Sequence, residues 1–165
     1  MAKALEKQRL EKETRRLQEE QARNLYTLAM EQSRMHAIVN CMADGVLVTN
    51  RHLEVVLCNP TFLQLMGLSG PLPQPGPLAA YLDESSFLEA IKELCATAES
   101  EPAKCLSQEI CKGRVHVRAM SAPFFGPDDK MLGTVTVFHD VTVFKELDAM
   151  KNDFVHMVSH ELRSP

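Results

Sequence analysis

Three features of the chain predict an α+β domain on an antiparallel sheet of five strands, with short helices on one face and a long helix at each end. The first 40 residues contain no Gly or Pro and are rich in Glu, Lys, Arg, Gln, Leu and Ala, the composition of a helix. From about Cys41 to Asp140 the apolar residues alternate in short runs, the period of strands. After Asp140 helical composition returns, with an apolar stripe from Val143 to Val158. The organisation that follows is a helix over 1–40, a sheet domain over 41–140 and a second helical segment over 141–165.

In the first segment Leu25, Leu28, Met35, Val39 and Met42 follow alternating three- and four-residue steps, with Gln32 filling one slot. Upstream only Leu10 and Leu17 recur at seven. The downstream half therefore reads as a helix–helix seam, the alternative being a single solvated helix, which is marginal in water without a partner.

In the second segment GVLVTN and EVVLC are β-type runs separated by RHL, a hairpin turning near Asn50-Arg51. The next run, NPTFLQLMGLSG, offers Asn59 as N-cap, Pro60 at the first helical position and Gly67 or Gly70 as terminator. PLPQPGP can sustain neither a helix nor a central strand and is expected on the surface. In DESSFLEAIKELCATAES, Phe87, Leu88, Ile91, Leu94 and Cys95 form one apolar helical stripe behind an acidic start. Three strands close the segment. KCLSQEICKG alternates weakly, RVHVRAMSAPFF sets Val115, Val117 and Ala119 against Arg114, His116 and Arg118, and KMLGTVTVFHD is the most β-prone run. The third segment opens with Asp140 or Thr142 as a cap and Glu146 in the first turn, then carries Val143, Leu147, Met150, Phe154, Met157 and Val158 as a stripe.

Composition narrows the function. With 165 residues and 45% hydrophobic content the chain can bury one ordinary core. A net charge of −4 lacks the basic footprint of nucleic-acid binding. Five cysteines without a C-x-x-C pair fit a reducing cytoplasm better than a disulfide framework. No apolar run reaches the length of a membrane span, which leaves open an anchor elsewhere in a parent protein. No Ser-His-Asp set, metal cluster or Gly-rich phosphate loop marks an independent enzyme.

Two resemblances rest on particular residues. The order strand, strand, helices, three strands, with ADGVLVTN opening it, NPTFLQLMG after the second strand and HDVT at the end of the last, resembles a PAS sensor domain. FVHMVSHELRSP resembles the phosphoacceptor box of sensor histidine kinases, in which Phe precedes Ser-His-Glu-Leu-Arg-Thr-Pro by three or four residues. In that family the box lies on the first helix of a hairpin that dimerises into a four-helix bundle, followed by an ATP-binding domain. The resemblance implies a chain ending inside that helix, a homodimer, a response-regulator partner, and ATP and Mg supplied with the absent kinase domain. No cofactor of the chain itself is evident.

A phosphoacceptor imidazole must be exposed, neutral and rigidly held for in-line approach of a γ-phosphate. His160 points roughly 130° from the centre of the stripe through Phe154 and Val158, at about 100° per residue, and so projects beside the seam. The resemblance gives Glu161 the role of orienting the proton on the other ring nitrogen. It places Ser164, one turn beyond His160, where relatives carry Thr or Asn implicated in dephosphorylating the regulator. His156, His36, His52 and His116 read as surface side chains, and His139 as a packing or hydrogen-bonding residue at the junction.

Fold cannot decide what such a domain senses. NPTFLQLMG lacks the reactive Cys of flavin-binding relatives, and the long helix lacks the His of haem-binding ones. Cys95 lies on that helix and reads as a small buried apolar residue. Cys105 and Cys111 share a strand face by their even spacing. Two functions stay open: a signalling segment that controls access to His160, and a dimerisation or scaffold module in which the box is inert.

Overall fold

The computed structural model describes residues 1–69 and 76–163. The chain divides into two units, Met1–Cys41 and Met42–Pro165. The first is one helix, α1 (Ala2–Asn40), whose apolar residues Leu10, Leu17, Leu25, Leu28 and Met35 are all exposed. An Arg15–Glu19 pair at 3.1 Å is among the few side-chain links along it, and such an exposed pair adds only a few tenths of a kcal/mol, about 0.3–0.5.

The second unit runs β1 (Gly45–Asn50), β2 (Glu54–Cys58), α2 (Pro60–Leu65), β3 (Gly76–Pro77), a 3₁₀ turn (Leu78–Ala80), α3 (Ser85–Thr97), β4 (Leu106–Lys112), β5 (Val115–Phe125), β6 (Met131–Asp140) and α4 (Thr142–Arg163). The strands form one antiparallel sheet in the order β3-β2-β1-β6-β5-β4. The first and last long strands, β1 and β6, are thus central neighbours, paired from Gly45–Phe138 to Asn50–Gly133.

The sheet has six strands where five are expected. The addition is the two-residue β3, which pairs Gly76 with Val55 and Pro77 with Glu54 at the sheet edge. An edge is the place where a proline's missing N–H costs no ladder bond. Residues 71–75 of the proline-rich stretch, and Gly70, lie outside the described residues.

Local chemistry explains the short elements. The Asn50 carboxamide oxygen accepts from the amides of His52 and Glu54 at 2.9 and 3.0 Å, folding the β1–β2 turn around Leu53 at φ 60. Asn59 caps α2 by accepting from the Phe62 amide at 2.9 Å, with Pro60 following. The same oxygen accepts from Val46 at 2.8 Å and its amide group donates to the Asp44 carbonyl, so one buried side chain joins α2 to the start of β1. A Cβ on Gly45 would lie 2.9 Å from the Phe62 Cα, so the close seat of α2 on β1 requires glycine there.

The core lies between the sheet and helices α2 and α3. Leu47, Val55, Phe62, Met66, Phe87, Ile91, Val117, Ala119 and Phe138 are buried in it, and the Phe138 ring lies 4.9 Å from Phe62 and 5.9 Å from Phe87. Four hydroxyls on the same sheet face are buried and satisfied in pairs, Thr49 with Thr134 at 2.7 Å and Ser121 with Thr136 at 2.8 Å. Paired in this way they avoid the cost of unsatisfied polar groups. Leu88 and Cys95, at the margin of the α3 stripe, pack against this core half-buried.

Candidate functional site

The site of interest is the passage from sheet to output helix. β6 ends at Asp140, whose carboxylate accepts from the Thr142 amide at 2.9 Å, one of the first-turn donors that a helix leaves unpaired. These bonds from Thr142 hold the Asp140 carboxyl below its usual range, with smaller attractions from His139 and His116. Asp140 thus supplies the cap. Glu146 falls beyond the first turn, because α4 begins at Thr142.

Residue 116 anchors the helix through its backbone. Its amide donates to the Thr142 hydroxyl at 2.9 Å, and its carbonyl accepts from the buried Val141 amide at 2.8 Å. A second tether is ionic: Lys145 meets Glu109 of β4 at 2.8 Å, and Arg118 of β5 meets the same carboxylate at 3.4 Å. The Lys145 hydrogen bond, then its charge, then Arg118 hold the Glu109 carboxyl below its ordinary value. A third link ties the end of β6 to the start of β1, His139 Nδ1 lying 2.6 Å from the Asp44 carboxylate. His139 therefore has a hydrogen-bonding role, as expected.

Beyond this junction α4 stands clear of the sheet and buries none of its residues. Val143, Leu147, Met150, Phe154 and Met157 are exposed and separated by steps of four, three, four and three, the spacing of a two-helix seam. His160 and Glu161 lie on the final described turns of α4 with exposed side chains. His156 is likewise exposed. Ser164 lies outside the described residues. The tethered residues at the junction and the phosphoacceptor candidates thus occupy opposite ends of one helix of 22 residues.

The family model for the PAS fold matches residues 33–141, about two thirds of the chain. The chain belongs to the PAS family. Its PAS domain is similar in fold to the PAS domain from Bordetella pertussis BvgS, with a TM-score of 0.54 at 16% identity over 74% of this chain and 98% of that one. Over most of its length the chain is also similar to sensor histidine kinases. It is 27% identical to the uncharacterized sensor-like histidine kinase ycf26 of Pyropia yezoensis over 91% of the chain. It is 27% identical to the sensor histidine kinase WalK of Bacillus subtilis over 82% of the chain. The chain spans about a quarter of the length of these relatives, 24% and 21%.

In this PAS domain the inner sheet face is filled by Phe62, Phe87 and Phe138. Cys95 is half-buried on α3, and burial pushes its thiol up. Among the described residues no cluster of three or more His, Cys, Asp or Glu could hold a metal ion. No described helix is long and apolar enough to cross a membrane.

Sequence reasoning missed two groups. Glu109 and Lys145 are joined only by the fold, and nothing in their separate segments announces the pair. His116, expected on the surface, is half-buried and lies opposite Cys111 with 3.3 Å between Nδ1 and Sγ. The signal for that pairing is Gly113 at φ 64: a two-residue turn at 113–114 sets Lys112 against Val115 and hence Cys111 against His116. Cys105, expected on the same strand face as Cys111, precedes β4 by one residue.

Proposed function

We propose that this chain is the sensory segment of a two-component histidine kinase, in which the PAS domain sets the position of α4 and α4 presents His160 for phosphorylation. One observation carries the reading: α4 is fastened to the sheet at Val141, Thr142 and Lys145 and is otherwise exposed, so any rearrangement of the sheet edge is delivered to the helix bearing the Ser-His-Glu-Leu-Arg run. The similarity to sensor histidine kinases supports the same reading.

His160 is the nucleophile. An exposed helical imidazole satisfies the access requirement, and Glu161 beside it orients the proton on the ring nitrogen that does not attack. Ser164 positions water for dephosphorylation of the partner response regulator. ATP and Mg belong to a catalytic domain outside this chain. The γ-phosphorus–oxygen bond to ADP breaks as the ring nitrogen bonds phosphorus, and phosphate then passes to the receiver aspartate of the regulator. The open seam of α4 pairs with that of a second copy, which makes the working unit a homodimer.

The direct test is labelling of the full-length gene product with radioactive ATP. His160→Gln abolishes acid-labile label, whereas His156→Gln retains it. Undiminished label in His160→Gln would remove His160 from the role. A gene product that ends near Pro165 and takes up no label favours the scaffold reading instead.

A further inference from the structure

Cys41, Cys105 and Cys111 are the exposed thiols among the described residues. They differ in surroundings. Cys105 Sγ lies 3.8 Å from a backbone carbonyl, that of Ala103, whereas Cys111 Sγ lies 3.3 Å from an imidazole nitrogen. The pair is cross-strand, directly opposed in the β4–β5 ladder on the outer face of the sheet, and its register is fixed by the tight turn at Gly113.

Glu109 lies on the Cys111 face of β4, two residues away, and its carboxylate is engaged by Lys145 and Arg118 at 2.8 and 3.4 Å. A thiol in hydrogen-bond contact with an imidazole is the pairing that can pass a proton from sulfur to nitrogen and so activate a cysteine nucleophile.

We infer that Cys111 is a modification site, a thiol activated by His116 for attack on small peroxides. In the reaction His116 Nδ1 takes the thiol proton and the thiolate sulfur attacks one peroxide oxygen. The O–O bond breaks, and the departing hydroxide recovers the proton from the imidazolium as water. Sulfur is oxidised to the sulfenic acid and the peroxide is reduced. The site adjoins the output helix, since the backbone of the same His116 holds Val141 and Thr142. The inference goes beyond the kinase reading and does not depend on it.

The chain supplies its own controls. The reduced protein, treated at pH 7.5 with hydrogen peroxide in the presence of a sulfenic-acid trap, is digested, and the modified fraction of each cysteine is followed by mass spectrometry. Cys111 is expected to react roughly tenfold or more faster than Cys41 and Cys105. His116→Gln, which keeps a polar side chain at a half-buried strand position, is expected to lower the Cys111 rate to within about twofold of Cys105 while leaving the other two unchanged. Equal rates at the three exposed thiols of the wild-type protein would overturn the inference, and that measurement needs no variant. A fast Cys111 that stays fast in His116→Gln would overturn the role of the imidazole.

Discussion

Phe138 and Phe154 are the same side chain in neighbouring elements, and their surroundings are opposite. Phe138 on β6 has no exposed surface and packs on Phe62 and Phe87, whereas Phe154 on α4 keeps 61% of its surface in solvent. A lone exposed phenylalanine needs no explanation. Phe154 is not alone, because Val143, Leu147, Met150 and Met157 continue its stripe along the whole helix, and a contiguous apolar strip of this kind marks a surface that another molecule covers. The sheet closes its own core within one chain, while the helix that leaves it is unfinished. In that contrast the PAS domain is closed on its own core, and α4 keeps an open apolar stripe.

The largest effect that probes this contrast is expected at Phe138. Phe138→Ala removes a fully buried ring flanked by two others and should cost about 3–5 kcal/mol of domain stability, read from the midpoint of urea unfolding. Phe154→Ala in dilute protein should stay within about 0.5 kcal/mol of wild type, as surface substitutions do. Similar losses in the two variants would mean that α4 is packed in solution and that the contrast is false.

A change on the helix should instead be read in association. Leu147→Lys with Phe154→Lys places two charges in the seam, one on each side of Met150. Sedimentation velocity is expected to show the wild type as a dimer and the double variant as a monomer at the same concentration, with the urea midpoint of the PAS domain unmoved. A dimer that survives both lysines would place its interface on another surface.

The contrast also explains which features were legible in the sequence. The strands of the core could be read because β5 alternates, with Val117 and Ala119 facing inward in step with that pattern, and because β6 is rich in β-prone residues, although its inward face carries Thr134 and Thr136 beside Phe138. Asn59-Pro60 announced α2 because capping is a local contract between residues three apart. The stripe on α4 was equally plain. The two-residue β3 was not, since a proline-rich run looks the same in a loop and at a sheet edge. The site at the junction was legible only in part: HDVT marked its position, but Glu109–Lys145 and Cys111–His116 depend on strand register, and register follows from the fold as a whole.

The smallest expected effect tests the tether that separates the two regions. Glu109 and Asp140 both ionise more readily in the folded junction than free in water, the first through Lys145 and Arg118 and the second through Thr142. A carboxylate depressed in this way contributes fully above the ordinary carboxylate range, about pH 4, and its contribution is lost as pH falls through the lower folded value. The first turn of α4 should therefore loosen on acidification before the sheet does, because the core around Phe138 holds no titrating group of this kind in its aromatic cluster. Amide hydrogen exchange at Lys145, which donates to the Val141 carbonyl at 2.9 Å, reports it directly once intrinsic rates are divided out. Glu109→Gln should reduce Lys145 protection slightly at neutral pH, since exposed ion pairs contribute little, and should flatten its acid dependence without abolishing it, because Asp140 still caps the helix. A variant whose Lys145 protection matches wild type at every pH would show that the backbone bonds of residue 116 alone fasten α4 to the sheet.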